Sequence, residues 1–462
     1  MTMQSIFQRE EPVIPRRGVH LDLKGVPPTA ERMVELLKVF AAARYNVVLV
    51  EWEDSFPWTV DERFRSPTAY TSEDIKRFCE TARELGLELI PLVQCLGHME
   101  NPLSVPGYEE LREVADNESG LNPLAPGARE LIQNMVDDVL KLMPDVKHFH
   151  LGGDEARTFG QNPETKAFVE AHGKGALYLH HVEPILDNLN ARHVRPILWH
   201  DMMIEWDSAA LTSLAKKSDL MPWVYGGDPA AAGKHCNSDI IDRFSEHGFT
   251  LWGGAAYKGA EGYDADVPDV PLHVENALAW GSVAPKFKFV GVVATAWSRY
   301  AVDTVQCNPI DSSLESMLMV AVILHDGQAP EGGVDACVEA LASVGEKERF
   351  EACRTAMQKL ADIRRRGWEC VQGTRQMMVL GRIDSRRTSA RNPKLGLHWL
   401  GDLEAVVNQA DGVADEVRSC FAGLIEAVWI EEYLATRIDP LREELHCLTE
   451  TTKQSNQTPK GK

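Results

Sequence analysis

The chain has little positive charge for its size, with 48 Lys and Arg residues against 69 Asp and Glu residues and a formal net charge of −21. Proteins that bind nucleic acid or anionic membranes usually carry a positive balance or a basic patch, so we expect neither partner. The chain also lacks a run of roughly 20 apolar residues, which a membrane span would need, and its start has no apolar signal segment. The hydrophobic fraction of 44% predicts an ordinary globular protein.

The cysteines lack any paired arrangement, because there are nine of them and none forms a Cys-x-x-Cys pair. An odd number of cysteines is unusual for a secreted disulfide framework, and the spacing does not resemble a zinc site. Neither a Gly-rich dinucleotide fingerprint nor a Walker A loop is present. We therefore expect a reduced, cytoplasmic protein without a metal or cofactor.

Short apolar runs alternate with helical patterns over the first 300 residues. Eight runs are rich in Val, Ile and Leu, which is typical of parallel strands covered on both faces: residues 19–23, 46–51, 87–93, 146–151, 194–199, 220–225, 249–256 and 289–297. Eight strand–helix units in this length predict an α/β fold, a (β/α)8 TIM barrel, over residues 12–310. A doubly wound sheet is the alternative.

The pattern changes after the predicted barrel. Residues 311–448 have helical spacing and no convincing strand, so we predict an α-helical C-terminal domain there. Residues 449–462 are polar and predict a disordered tail.

Polar and aromatic residues recur where the predicted strands end. Barrel enzymes place their catalytic groups at these ends, so the residues form one candidate rim. Carboxylates suit sugar hydroxyls and aromatic rings pack on sugar C–H faces, which favours a carbohydrate ligand. Besides a pair of neighbouring carboxylates, the candidates include Arg17, Asp54, His98, Trp199, Asp201, Trp223, Tyr225, Tyr257, Trp297 and Arg299.

The sharpest motif is His150-Leu151-Gly152-Gly153-Asp154-Glu155. Adjacent residues within a strand face opposite ways, but two glycines at the strand end allow both carboxylates to turn over the barrel mouth. Two neighbouring carboxyls can divide the work, one staying ionised while the other, with a raised pKa, donates a proton. The alternative is that Asp154 and Glu155 only open the next helix.

At this motif the chain resembles glycoside hydrolase family 20, the β-N-acetylhexosaminidases, and particularly its hexosaminidase D-like branch. The family has His-x-Gly-Gly-Asp-Glu at the end of its fourth barrel strand. The stretch from Arg17 to Asp22 is similar to its first strand, the stretch from Asn46 to Pro57 to its second-strand turn, and Gly97-His98 to its Pro-Gly-His. The resemblance covers roughly residues 16–300.

The resemblance implies hydrolysis of terminal β-linked N-acetylglucosamine or N-acetylgalactosamine with retention. The acetamido oxygen of the substrate would attack the anomeric carbon and form an oxazolinium intermediate, so no enzyme nucleophile is needed. Asp154 would orient and charge-stabilise the acetamido N–H. Glu155 would protonate the leaving oxygen and then activate water.

The resemblance also implies roles for the sugar-binding residues. Arg17 would hold ring hydroxyls, and Tyr257 would donate a hydrogen bond to the acetamido carbonyl. Asp54 and His98 would form a relay behind Glu155. Aromatic residues would wall the pocket: Trp199, Trp223 and Trp297.

Two departures from the family pattern leave questions open. Many members have a glutamate where Arg299 stands, so the preference for the gluco or galacto configuration is undecided. The second-strand segment is shorter than in many members, so Glu51 or Glu53 could take the role assigned to Asp54.

Two alternative functions are kept. One is a metal-dependent barrel hydrolase with imidazole ligands from His148, His150 and His200 and with Asp201 beside them. The other is a catalytically inactive sugar-binding barrel. A homodimer is left open.

Overall fold

The structure is a computed structural model that describes residues 1–383 and 395–457. Within these residues, eight strands form the main sheet: β1 (Arg16–Asp22), β2 (Val47–Glu51), β3 (Glu88–Leu92), β6 (His148–His150), β7 (Arg195–Trp199), β8 (Asp219–Met221), β9 (Trp252–Lys258) and β10 (Gly291–Ala296). Two further strands form an antiparallel hairpin: β4 (Arg112–Val114) and β5 (Asn117–Leu121).

The main sheet is a nearly closed parallel barrel. Its strand order is β8-β7-β6-β3-β2-β1-β10-β9, and every neighbouring pair is parallel. Parallel bridges from Leu220 to Leu251 and from Trp223 to Gly254 bring the two ends of the sheet together. Each of the eight predicted apolar runs overlaps one barrel strand, which confirms the (β/α)8 prediction over the doubly wound sheet.

Helices follow the barrel strands and cover them. In chain order they are α1 (Ala30–Ala42), α2 (Ser72–Glu84), α3 (Glu100–Leu103), α4 (Ala128–Leu142), α5 (Pro163–His172), α6 (Lys174–Ala191), α7 (Ser208–Ala215), α8 (Ser238–Glu246), α9 (Val270–Lys286), α10 (Leu314–Asp326) and α11 (Gly333–Leu341). Three longer helices follow: α12 (Lys347–Ile383), α13 (Leu395–Phe421) and α14 (Ala427–Gln457).

Helix α10 belongs with the barrel, although the predicted domain boundary lies before it. Every residue of α10 is buried, and the helix packs against α9, β1, β9 and β10. A helix that is hydrophobic all round must be covered by protein on every side. Arg32 in α1 also pairs with Asp311 and Glu346 at 2.7 and 2.8 Å. The chain accordingly divides into Met1–Glu348 and Arg349–Lys462 rather than at residue 310.

The barrel interior changes from apolar to polar towards the carboxyl ends of the strands. Its middle is filled by large apolar side chains, including Leu49, Ile90, Ile197, Trp199 and Val293. Buried polar groups above this layer include His20, Glu51 and His150. Polar groups buried at this end of a barrel indicate where its chemistry lies.

The second unit contains antiparallel helices. The thiol of Cys353 in α12 contacts the carbonyl of Cys420 in α13, and Arg418 in α13 pairs with Glu431 in α14 at 2.7 Å. The tail predicted to be disordered is helical as far as Gln457, and residues 458–462 lie outside the described residues. Helix α14 continues because polar residues can extend a helix that is already formed.

Two observations concern the thiols and the helices. All nine cysteines are free thiols. Among the residues that the structure describes, no helix is both long and apolar enough to span a bilayer.

Candidate active site

Asp154 and Glu155 lie just after β6, where two glycines turn the backbone out of the strand. Gly152 and Gly153 have φ angles of 57° and 79°, in the left-handed region that favours glycine. A Cβ atom at Gly152 would overlap the Gln94 amide, and one at Gly153 would overlap the Tyr178 hydroxyl. The glycines are therefore required by both conformation and space, and they free the two carboxylates from the alternation of a strand.

The backbone of Glu155 is itself left-handed, with a φ of 42°. Non-glycine residues in this region are strained by about 1–3 kcal/mol and cluster at active sites. Asp201 stabilises this conformation, because its Oδ2 accepts the Glu155 N–H at 2.9 Å. Its Oδ1 accepts the indole N–H of Trp223 at 3.4 Å. Asp201 thus positions Glu155 and Trp223, instead of facing the cavity as a predicted sugar ligand.

His98 lies between the two carboxylates. Its Nε2 is 3.7 Å from Asp154 Oδ2 and 3.5 Å from Glu155 Oε2. Gly97 allows this approach, because a Cβ atom there would overlap the Asp154 carbonyl. Burial opposes protonation of His98, but Asp154, Glu155 and Glu100 raise its pKa to about 9. The imidazole is therefore a cation at neutral pH.

The pKa values of the two carboxyls are split, but in the opposite direction to the roles that the resemblance implies. Burial raises the pKa of Asp154 to about 7, with Asp201 and Glu155 adding to the effect against His98. Hydrogen bonds from His98 and Tyr300 lower the pKa of Glu155 to about 2. In the free site, Glu155 is therefore ionised at neutral pH, whereas Asp154 is protonated below about pH 7.

Two further residues contact Glu155 and were absent from the predicted set. The hydroxyl of Tyr300 donates to Glu155 Oε2 at 2.9 Å, and its ring meets the His98 ring edge-on at 5.3 Å. The guanidinium of Arg157 is 3.4 Å from Glu155 Oε1 and lies over the Tyr300 ring at 5.7 Å. Their positions just past the ends of β10 and β6 are the sequence signal for both.

A cavity of about 360 Å³ opens beside these groups. Trp223 and Tyr225 stack at 5.0 Å, and Tyr225 meets Trp297 at 6.0 Å, so one wall is aromatic. Seven of the predicted residues line this cavity: His98, Asp154, Glu155, Trp223, Tyr225, Trp297 and Arg299. A larger cavity of about 570 Å³ lies at the amino end of β3, and none of the predicted residues lines it.

Besides Asp54 and Asp201, three further predicted site residues lie outside the cavity: Arg17, Trp199 and Tyr257. The guanidinium of Arg17 donates to the carbonyls of Ile14, Pro15 and Arg44 at the amino end of β1, so it cannot hold a sugar at the other end. Trp199 is fully buried beneath Trp297, with their rings 6.2 Å apart.

Tyr257 is also fully buried, and its hydroxyl donates to the His20 carbonyl at 3.3 Å. It therefore does not offer its hydroxyl to the cavity. Tyr225 is the predicted tyrosine that lines the cavity.

One carboxylate that acts on His98 is Glu100, which none of the predicted alternatives named. Glu100, together with Asp154 and Glu155, is among the groups that raise the pKa of His98 most strongly. Asp54 faces the Arg299 guanidinium instead, and burial raises its pKa to about 6. Glu100 follows His98 by two residues at the start of α3, so the turn that presents His98 also supplies its partner.

Lys24 supports the aromatic wall from inside the barrel. Its Nζ is 3.0 Å from Asp22 Oδ1 and 2.7 Å from Glu51 Oε1, and its side chain is 4% exposed. The ammonium also lies 5.4 Å from the Trp297 ring centroid. Asp22 accepts the Ser298 N–H at 2.7 Å. These contacts fix the end of β10, where Trp297 enters the cavity.

The histidines of the alternative metal site do not converge. His148 pairs with Glu88 at 2.6 Å in the lower part of the barrel. His200 contacts the His235 carbonyl through Nε2 at 2.9 Å, and burial lowers the pKa values of His150 and His200 to about 3. Within the described parts of the chain, no cluster of three His, Cys, Asp or Glu residues could hold a metal ion.

A barrel whose mouth holds paired carboxylates beside an aromatic wall is typical of a glycoside hydrolase. Residues 15–306 match the family model of the glycosyl hydrolase family 20 catalytic domain. The chain is 32% identical over 345 residues to hexosaminidase D from Bos taurus, covering 72% of this chain and 99% of that protein. Hexosaminidase D from Homo sapiens is 32% identical over 349 residues, covering 73% and 71%.

The chain therefore belongs to glycosyl hydrolase family 20, which confirms the resemblance, and it is a glycoside hydrolase. Solved structures show the same fold. Flavobacterium johnsoniae chitobiase gives a TM-score of 0.56 at 16% identity, covering 95% of this chain and 73% of that one. The β-N-acetylhexosaminidase from Bacteroides fragilis gives 0.55 at 15% identity, covering 72% of each chain.

Proposed function

We propose that the protein is an exo-acting β-N-acetylhexosaminidase that removes terminal β-linked N-acetylglucosamine or N-acetylgalactosamine with retention. The observation that carries the proposal is the cavity in which Asp154, Glu155 and His98 face an aromatic wall. Its volume of about 360 Å³ lies at the low end for small-molecule sites, which suits one terminal sugar. Membership of the family and the hexosaminidase D relatives support the same activity.

The acids of the cavity support a substrate-assisted mechanism. Among the described residues that line it, Asp154 and Glu155 are the carboxylates, and both lie beside His98. The facing wall is aromatic and offers no carboxylate as a nucleophile. The acetamido oxygen of the substrate would take that role, and Tyr225 replaces Tyr257 as the candidate donor to it.

The exposure of the two carboxylates supports a division of their roles. The Glu155 side chain is 25% exposed and that of Asp154 is 10% exposed, so Glu155 lies nearer the mouth, where the leaving group of an exo-enzyme departs. Glu155 is therefore the proposed acid and base. Asp154, deeper in the cavity, would accept the acetamido N–H.

Substrate binding must move the proton for these roles. Below about pH 7 the free site has the proton on Asp154, whereas protonation of the leaving oxygen requires it on Glu155. A hydrogen bond from the acetamido N–H would lower the pKa of Asp154, and exclusion of water together with loss of the Tyr300 hydrogen bond would raise that of Glu155. Binding of the substrate would thus transfer the proton from Asp154 to Glu155.

The activity is tested with aryl N-acetyl-β-hexosaminides against the matching plain hexosides. The plain sugars lack the internal nucleophile, so we expect turnover of the N-acetyl substrates alone, and equal rates on both would overturn the mechanism. Comparing gluco- and galacto-configured substrates gives the preference. Tight binding of an N-acetylhexosamine without turnover would indicate the inactive barrel.

The assignments of Asp154 and Glu155 are tested by Asp154→Asn and Glu155→Gln, each of which should lower kcat by orders of magnitude. Glu155→Gln should be least damaging with a leaving group that needs no proton, because acid catalysis is then dispensable. Asp228→Asn, an exposed carboxylate past β8, is the matched control and should retain wild-type rates. An unchanged rate in either site variant removes that residue from the mechanism.

We also propose a cytoplasmic location, which the nine free thiols support. We also propose, from the sequence alone, that the protein forms a homodimer. Sedimentation of the purified chain would decide between dimer and monomer.

A further inference from the structure

We propose that Tyr263 is a specificity-determining residue, a platform on which the sugar ring of the leaving group stacks. The proposal rests on the function proposed above. Tyr263 lines the mouth of the same cavity as Asp154 and Glu155. Tyr263 is 66% exposed, more than any other large hydrophobic residue among those that the structure describes.

Three side chains in contact form a row from the proposed acid to solvent: Glu155, Tyr300 and Tyr263. Tyr263 is the outermost of them. The hydroxyl of Tyr300 donates to Glu155 at 2.9 Å, and the ring of Tyr300 meets that of Tyr263 edge-on at 5.3 Å, with an interplanar angle of 87°. A leaving group that receives its proton from Glu155 would lie next to these side chains. Sugar C–H faces pack on aromatic rings, so an exposed ring there suits a carbohydrate aglycone.

The segment that carries Tyr263 is anchored, although the ring is exposed. Glu261 accepts the Ala260 N–H at 2.7 Å and contacts His273 Nε2 at 3.2 Å, which ties the turn after β9 to α9. The Ala265 carbonyl accepts the Asn308 N–H at 2.8 Å. Because the backbone of Tyr263 is already held, little conformational entropy is lost when its ring binds a sugar, which favours a binding role.

Two substrates with the same N-acetylhexosamine and different leaving groups test the proposal. One is a β-linked disaccharide, whose leaving group is a sugar ring, and the other is the glycosyl fluoride, whose leaving group cannot stack. Tyr263→Ser should lower kcat/KM for the disaccharide about ten-fold and leave the fluoride rate within two-fold. Tyr263→Trp should keep the wild-type disaccharide rate, since it restores a stacking face.

Trp368→Ala is the control, because Trp368 is also an exposed aromatic residue and does not line the cavity. It should change neither rate. Equal losses on both substrates in Tyr263→Ser would place Tyr263 in support of Glu155 and overturn the proposal, as would no loss on either. If the wild-type enzyme hydrolyses neither substrate, the proposed function fails first, so the two failures are distinguishable.

Discussion

Replacing Asp154 by asparagine should make the protein more stable above neutral pH, although it should nearly abolish activity. The Asp154 side chain is 10% exposed, and its pKa is raised from 3.8 to about 7, chiefly by burial. The folded protein therefore binds the proton more tightly than the unfolded chain does. Ionisation of Asp154 therefore lowers the free energy of unfolding, and asparagine, which does not ionise, avoids this loss.

The magnitude follows from the shift of about three pKa units. One unit corresponds to about 1.4 kcal/mol, so the cost of Asp154 approaches about 4 kcal/mol. The cost is absent below about pH 4, where the carboxyl is protonated in both states. It grows by about 1.4 kcal/mol per pH unit up to pH 7 and is constant above it. Asp154→Asn also deprives His98 of one carboxylate, so we expect a net gain of roughly 2–4 kcal/mol at pH 8.

Glu155→Gln is the matched comparison and should have the opposite sign. The pKa of Glu155 is lowered from 4.5 to about 2, mainly by the hydrogen bond from His98. Its ionisation therefore favours folding above pH 4.5, and this contribution is lost as the pH falls through 2. After allowance for its partial exposure, Glu155→Gln should cost roughly 1–3 kcal/mol at pH 8.

The assay is thermal unfolding of wild type and both variants between pH 5 and 8.5. The Tm of Asp154→Asn should exceed that of wild type by an amount that widens up to pH 7, at roughly 2 °C per kcal/mol. Glu155→Gln should lie below wild type throughout this range. A Tm of Asp154→Asn below wild type, or a difference that does not change with pH, would refute the charge assignment.

Three other predictions concern the surroundings of the pair. Tyr300→Phe removes a hydrogen bond to a charged group worth about 1.5–3 kcal/mol, so the pKa of Glu155 should rise by about 1–2 units in a carboxyl NMR titration, and an unmoved titration would contradict it. Asp201→Ala should lower kcat at least about ten-fold while Asp201→Asn keeps most of it, because asparagine still accepts the Glu155 N–H; equal rates in the two variants would exclude the positioning role. Lys24→Met leaves the buried carboxylates of Asp22 and Glu51 without their ammonium partner and should lower the free energy of unfolding in urea by about 3–5 kcal/mol. A loss below about 1 kcal/mol would show that the ion pairs of Lys24 do not stabilise the fold.

The barrel could be predicted because its strands are buried on both faces. Such strands appear as continuous apolar runs, and each run overlaps one strand of the structure. The domain boundary was harder to predict, because α10 has the same helical spacing as the helices that follow it. Its assignment to the barrel depends on what covers it on every side, which is a tertiary property.

The carboxylate pair and the aromatic wall were predicted because strand ends and a glycine pair mark them in the sequence. The prediction that Arg17 and Tyr257 line the sugar site was wrong, because the apolar runs do not show how far along a strand a side chain lies or which way it faces. The same limit hid Glu100, whose importance comes from its approach to His98 after the turn at Gly97.

The sequence by itself therefore determined the parallel barrel, the end of it that carries the chemistry, and the two carboxylates at that end. These follow from local hydrophobic periodicity and from the conformations that glycine permits. Only the tertiary structure decided which of the two carboxyls has the higher pKa in the free site. That depends on burial and on charges brought together from β3, β6, β7 and β10, and a pKa responds to distance in space, whatever the separation along the chain.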